Sequence, residues 1–143
     1  MREQMTTRCN HIEEAYEFML AYAAQGLASD AGSDAGSQAR KFLGQLDTAL
    51  TGLADVFRGV AKADQPAGAD HYAAFVAVLE RDASAAQAAV RLVLAQPGIS
   101  SQLVDNLNAS IHLRALLTDI FLVDEVLKSQ VLGARGWGTT PGS

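Results

Sequence analysis

Three side chains able to do chemistry recur at intervals of seven residues late in the chain: Asp105, His112 and Asp119. Seven residues make about two turns of α-helix, so these side chains are expected near one line, about 10.5 Å apart along the axis. Imidazole and carboxylate groups can bind a metal ion or hydrogen-bond a small ligand. Because side chains that far apart do not touch, a site needs groups from another helix or from a symmetry-related copy of the chain. His11 and Glu14 are the candidates within the chain.

The three residues Asp105, His112 and Asp119, here called the polar ladder, also have a purely structural interpretation as an alternative to a metal or ligand site. The ladder lies between two apolar sectors of its helix, which favours a position facing inward or across a subunit contact. A carboxylate there has to be paired, protonated or bound to a metal, because a bare buried charge costs several kcal/mol. The ladder is therefore a solvated strip, a hydrogen-bond network that fixes helix register, or a site for a metal ion or small ligand.

Motifs of enzymes and of common cofactors are missing from the sequence. It contains no Glu-x-x-His pair of di-iron bundles, no Cys-x-x-Cys-His haem attachment, no Gly-x-Ser-x-Gly and no phosphate or dinucleotide loop. The single cysteine, Cys9, falls on the predicted core stripe of its helix, where a small buried thiol is ordinary. We therefore predict no catalytic residue and no cofactor, with a bound metal ion as the alternative.

The elements that would position these groups are helices. Turn-forming residues interrupt the 143-residue chain at 29–37, 64–70 and 96–98, and the four segments between them repeat apolar residues every three or four positions. No alternating pattern of Val, Ile and Thr predicts a strand. The pattern predicts an all-α protein, an antiparallel four-helix bundle in residues 1–132, with a mobile loop at about 28–37 and a flexible Gly-rich tail at 133–143.

Three details of the helices follow from the same pattern. The second predicted helix has an unbroken apolar seam from Leu43 to Val60. Asp70 is predicted to N-cap the third helix. The fourth helix is predicted to begin at residue 100 or 101 and to reach about Leu132, and its length of about 48 Å favours a bend near residue 106 or 108.

The third and fourth predicted helices have more apolar surface than one core stripe needs. The outer face of the third contains alanines and Leu92, with Arg81, Ser84 and Arg91 as its main polar residues. The fourth is apolar on nearly every side after residue 110. Such a helix needs a second burial surface, unless it sits centrally under the other three. We predict a homo-oligomer, most simply a dimer, with Leu92, Leu117, Phe121 and Trp137 as partner-binding residues. The tail with Trp137 is expected to fold back on its own bundle or to insert into a pocket of another protein, with a disordered end as the alternative.

Composition argues against other classes of protein. A formal net charge of −5, from 11 Lys and Arg against 16 Asp and Glu, argues against nucleic-acid binding. No apolar run is long enough to span a membrane, and a lone cysteine fits a reducing compartment, so we expect no membrane partner and a cytoplasmic location. The sequence predicts a non-enzymatic, homo-oligomeric interaction, assembly or regulatory module. The alternative is a metal- or small-ligand-binding bundle with a His/Asp site on its last helix.

Overall fold

The computed structural model describes the backbone of residues 1–132 and the side chains of residues 1–129, and this part of the protein is all-α without a strand. Six helices follow one another: α1 (Arg2–Ala24), α2 (Asp34–Leu50), α3 (Leu53–Asp64), α4 (Ala69–Leu94), α5 (Ser101–Ala109) and α6 (Ile111–Leu132). None of these described helices is long and apolar enough to cross a bilayer. The all-α prediction is confirmed. Four uninterrupted helices are not observed, because the second and fourth predicted helices are each divided in two.

The second predicted helix is divided at Thr51 and Gly52. Gly52 has a φ of 68°, a left-handed conformation that glycine adopts at little cost. Arg8 of α1 donates hydrogen bonds to the main-chain oxygens of Ala49 and Thr51. The amide of Gln87 in α4 donates to the Thr51 hydroxyl at 2.8 Å. Side chains of two neighbouring helices therefore satisfy polar groups that the break would otherwise leave unpaired.

The last predicted helix is divided at Ser110 instead of bending at residue 106 or 108. Ser110 ends α5 in an extended conformation with a ψ of 141°. Its hydroxyl oxygen accepts a hydrogen bond from the N–H of Leu113 at 3.3 Å, so the same residue also caps the start of α6. The hydroxyls of Ser33 and Ser100 cap α2 and α5 in the same way.

The start of α4 differs from the prediction that Asp70 caps it. The N-cap is Gly68, with a φ of 71°, and Asp70 lies in the first turn of the helix. The capping prediction is wrong because the helix begins earlier than Asp70. A carboxylate in the first turn still stabilises this end through the helix macrodipole.

The predicted apolar stripes form the core. All six side chains of the seam in the second predicted helix are buried: Leu43, Leu46, Leu50, Leu53, Phe57 and Val60. So are those of the third: Tyr72, Val76, Leu79, Ala83, Ala86, Val90 and Val93. Helix α1 packs against α2, α3 and α5, and α4 packs against α2, α3, α5 and α6. The long helices α1 and α4 thus organise the core.

The connection between α1 and α2 is tied to the turn between α4 and α5. Asp30 accepts hydrogen bonds from the N–H of Ile99 at 2.7 Å and from Arg40 Nε at 2.7 Å. Arg40 also donates to main-chain oxygens at the end of α4, including that of Leu94 at 3.0 Å. These contacts join segments as much as 69 residues apart in sequence. Helix α2 begins at Asp34, within the stretch 28–37 for which the sequence predicts a loop.

Candidate functional site

The predicted polar ladder is not one continuous line, because Ser110 separates α5 from α6. Asp105 is exposed on α5 and His112 is exposed in the first turn of α6, whereas Asp119 is buried with 7% of its surface exposed. Among the described side chains, no group of three or more His, Cys, Asp and Glu residues is arranged to hold a metal ion. The structure therefore does not assemble Asp105, His112 and Asp119 into one site.

A second carboxylate, Asp82 of α4, meets Asp119 across the contact between α4 and α6. The two carboxyl groups are close enough to share a hydrogen bond. The Oδ2 atom of Asp119 is buried and has no hydrogen-bond donor among the residues that the structure describes. Burial, followed by the hydrogen bond to Asp82 and its negative charge, raises the pKa of Asp119 to about 7. The Asp119 carboxyl of this acidic pair (Asp82 and Asp119) is therefore protonated in the native state at pH values below about 7.

Asp82 is the candidate that the sequence pattern does not reveal. Helical periodicity places Asp82 at the edge of the buried stripe of α4, to which Leu79 and Ala83 belong. An aspartate in an otherwise alanine-rich stretch is the one signal at this position. The pattern gives the face of a helix on which a side chain lies, but the meeting with Asp119 depends on how α4 and α6 are aligned along their axes.

The two candidates on α1 lie apart from the acidic pair. His11 is half-buried and lines a cavity of about 440 Å³ between α1 and α2, together with Arg8 and Thr48. Glu14 is exposed. Neither side chain joins the acidic pair in a group able to hold a metal ion within the described part of the chain.

Exposed apolar side chains concentrate on α4 and α6. Of the seven large hydrophobic side chains that are exposed within residues 1–129, five lie on these two helices. Ile111 and Leu92 are the most exposed, at 74% and 66%, followed by Phe121, Leu122 and Val126. The outer side of α4 adds exposed alanines: Ala73, Ala74, Ala77, Ala88 and Ala95. The "α4–α6 face" denotes Leu92, Ile111, Leu122 and Val126 together with these alanines.

The predicted partner-binding residues fall in different environments. Leu92 and Phe121 are exposed, whereas Leu117 is buried in the core with 7% of its surface exposed. Phe121 lines a cleft between α1 and α6 instead of the α4–α6 face. Trp137 lies outside the described residues. Of the four, Leu92 is the one that belongs to the α4–α6 face.

The cleft between α1 and α6 has a volume of about 330 Å³ and contains the single cysteine, Cys9. Burial, followed by the negative charges of Asp124 and Glu13, raises the pKa of the Cys9 thiol to about 12. A thiol with that pKa stays protonated near neutral pH, and the thiolate is the nucleophilic form. The cleft therefore offers no activated cysteine.

Comparisons with known proteins gave no match. No family model matches the sequence, and neither a curated protein nor a solved structure matches the chain. The function is therefore argued from the side chains and surfaces described above.

Proposed function

We propose that the protein is a homodimeric interaction, assembly or regulatory module of the cytoplasm, without catalytic activity, and that it associates through the α4–α6 face. In this proposal α2 with α3, and α5 with α6, each form one column of an antiparallel four-helix bundle, and α1 and α4 form the other two. The contacts of α1 with α2, α3 and α5, and of α4 with α2, α3 and α6, support this arrangement. The free Cys9 is in keeping with a reducing compartment.

The observation that carries the proposal is the concentration of exposed apolar side chains on α4 and α6. Ile111 and Leu92 are 74% and 66% exposed, and full burial of such a side chain contributes about 1.5–3 kcal/mol. Monomeric soluble proteins rarely expose contiguous apolar patches larger than a few hundred Å². A second copy of the chain would cover this surface.

The contacts between α4 and α6 support opposite directions for the two helices, and with that arrangement Leu92 and Ile111 would belong to one patch. Phe75, near the start of α4, shares a groove with Leu122 of α6. The acidic pair follows further along α4 and nearer the start of α6. Later residues of α4 thus lie beside earlier residues of α6. The end of α4, with Leu92, is therefore expected beside the start of α6, with Ile111.

The α4–α6 face is large enough for a dimer. Helix α4 has 26 residues and α6 has 22, which correspond to lengths of about 39 and 33 Å. Two helices side by side, each about 10 Å wide, present about 700 Å². A standard interface buries about 800 Å² on each partner, so the face is of the right order. A two-fold axis would bring identical faces together, and the small alanine side chains allow close approach.

The proposal is tested by measuring the mass of the full chain in solution. Sedimentation equilibrium is expected to show a dimer at micromolar concentrations. Replacing Ile111 and Leu92 together by aspartate buries two unpaired charges in the interface, so the dissociation constant should rise at least about a hundredfold. Both side chains are largely exposed in the monomer, so the helix content should not change.

Leu20→Asp is the matched control, because Leu20 is a large hydrophobic side chain, 49% exposed, but lies on α1. This variant should retain the dimer. A wild-type chain that stays monomeric at high micromolar concentration would overturn the proposal. So would a double variant at positions 92 and 111 that dimerises as tightly as the wild type.

A further inference from the structure

An apolar groove of about 350 Å³ lies between the start of α4 and the later turns of α6. The side chains of two helices form its walls: His71, Tyr72, Phe75, Leu122, Val123 and Val126. The hydroxyl of Tyr72 is engaged, because it donates a hydrogen bond to the main-chain oxygen of Phe57 at 3.2 Å. The groove thus offers apolar walls and one imidazole, that of the exposed His71.

The chain that follows α6 is long enough to return to this groove. Residues 133–143 lie outside the described part of the structure and follow the end of α6 at Leu132. Val126 is six residues before that end, or about 9 Å back along the helix axis. Trp137 is five residues beyond it, and an extended chain of that length spans up to about 17 Å. Gly133, directly after the helix, is the residue type that most readily reverses the chain direction.

The groove and the indole of Trp137 match in chemistry. Tryptophan has a large apolar ring system with one N–H donor, which an imidazole nitrogen of His71 can accept. The segment 133–143 carries one charged residue, Arg135, which is positive. Asp70 and Glu125 are both exposed and directly precede groove residues on α4 and α6. The charge of the segment is therefore opposite in sign to the two carboxylates beside the groove.

We propose that this groove binds the indole of Trp137 from the same chain. A tether of a few residues gives an effective concentration in the millimolar range, which favours the chain's own segment over that of a second copy. The bound segment covers two members of the α4–α6 face, Leu122 and Val126, and leaves Ile111, Leu92 and the alanines of that face for contact with a second copy. The inference stands on the groove and the tether and does not depend on self-association.

Trp137 is the only tryptophan, so the intrinsic fluorescence of the full chain reports directly on its surroundings. In the native protein, quenching by acrylamide should be at least about threefold weaker than in the same chain unfolded in guanidinium, and the emission should be shifted to the blue. Val126→Asp and Leu122→Asp, at side chains 38% and 51% exposed, should each return both signals most of the way to the unfolded values. Circular dichroism checks that helix content is retained.

Leu20→Asp is again the control and should leave the fluorescence unchanged. The proposal would be overturned if acrylamide quenched the native wild type as strongly as the unfolded chain. It would also be overturned if Trp137 stayed as protected from acrylamide in both groove variants as in the wild type. Protection that grows with protein concentration, or that is lost in Ile111→Asp, would mean that a second copy buries the indole, and would also overturn it. Protection that persists in Ile111→Asp at every concentration supports binding within one chain, whatever the oligomeric state.

Discussion

Replacing Asp119 by asparagine should make the protein more stable at alkaline pH. In the native state the pKa of Asp119 is raised from an ordinary value of 3.8 to about 7, chiefly by burial and then by the neighbouring Asp82. Between about pH 4 and 7 the native state therefore binds more protons than the unfolded chain. The free energy of unfolding must then fall as the pH rises through this window.

The size of the effect follows from the shift and from the surroundings of the acidic pair. A shift of about 3 pKa units corresponds to about 4 kcal/mol at 1.36 kcal/mol per unit. Asp82 is only half-buried, so solvent screens its charge, and we expect about 1–2 kcal/mol. An asparagine amide can donate to the Asp82 carboxylate at every pH and removes the second charge.

Thermal unfolding followed by circular dichroism at pH 5 and pH 8 measures the prediction. At about 4 °C for each kcal/mol, Asp119→Asn should raise the Tm at pH 8 by about 4–8 °C and leave it near the wild-type value at pH 5. Asp105→Asn removes the same charge from an exposed carboxylate and should leave the pH dependence unchanged. A wild-type Tm that does not fall between pH 5 and pH 8, or an Asp119→Asn variant less stable than the wild type at pH 8, would refute the raised pKa of Asp119.

Two further predictions concern Asp30 and Cys9. The N–H of Ile99 and the guanidinium of Arg40 hold the pKa of Asp30 below its ordinary value of 3.8, so its stabilisation is complete above that value and is lost as the pH falls below about 4. Asp30→Ala should lower the free energy of unfolding in urea at pH 7 by about 1–3 kcal/mol, and a variant as stable as the wild type would contradict this. Because the pKa of Cys9 is raised to about 12, an aromatic disulfide reagent at pH 8 should modify the native thiol at least about a hundredfold more slowly than the unfolded chain, and similar rates would count against a buried, protonated thiol.

The burial of individual side chains was predictable from the sequence, because it depends on which face of a helix they occupy. The seam from Leu43 to Val60 stays buried across the break between α2 and α3, so both halves present their apolar sides to the core. Because the apolar spacing continues across the break, the sequence pattern does not indicate that α2 and α3 are separate helices. Glycine alone is no guide, since Gly44 and Gly59 are helical in the same segment while Gly52 turns left-handed.

The acidic pair and the break at Ser110 needed more than periodicity. A helical period gives the rotational position of Asp119 and Asp82 about their axes, but not the axial alignment of α4 against α6 that brings them together. The seven-residue spacing from Asp105 to Asp119 places these side chains on one line only if the helix is continuous. The helix is interrupted at Ser110, so they do not lie on one line. Exposure of the α4–α6 face, by contrast, follows the rotational pattern, and Leu92 was identified for this reason.

The hydrogen bonds of Asp30 bear on where foreign sequence can be placed in this chain. By composition, the stretch 29–37 is the natural choice for inserting an epitope or for the new termini of a circular permutant. The side-chain carboxylate of Asp30, however, ties this stretch to the N–H of Ile99 and, through Arg40, to the end of α4. Gly36 leaves no room for a Cβ, because the main-chain oxygen of Asp30 lies against it. Opening the chain at this connection would therefore also loosen the turn between α4 and α5, which is distant in sequence.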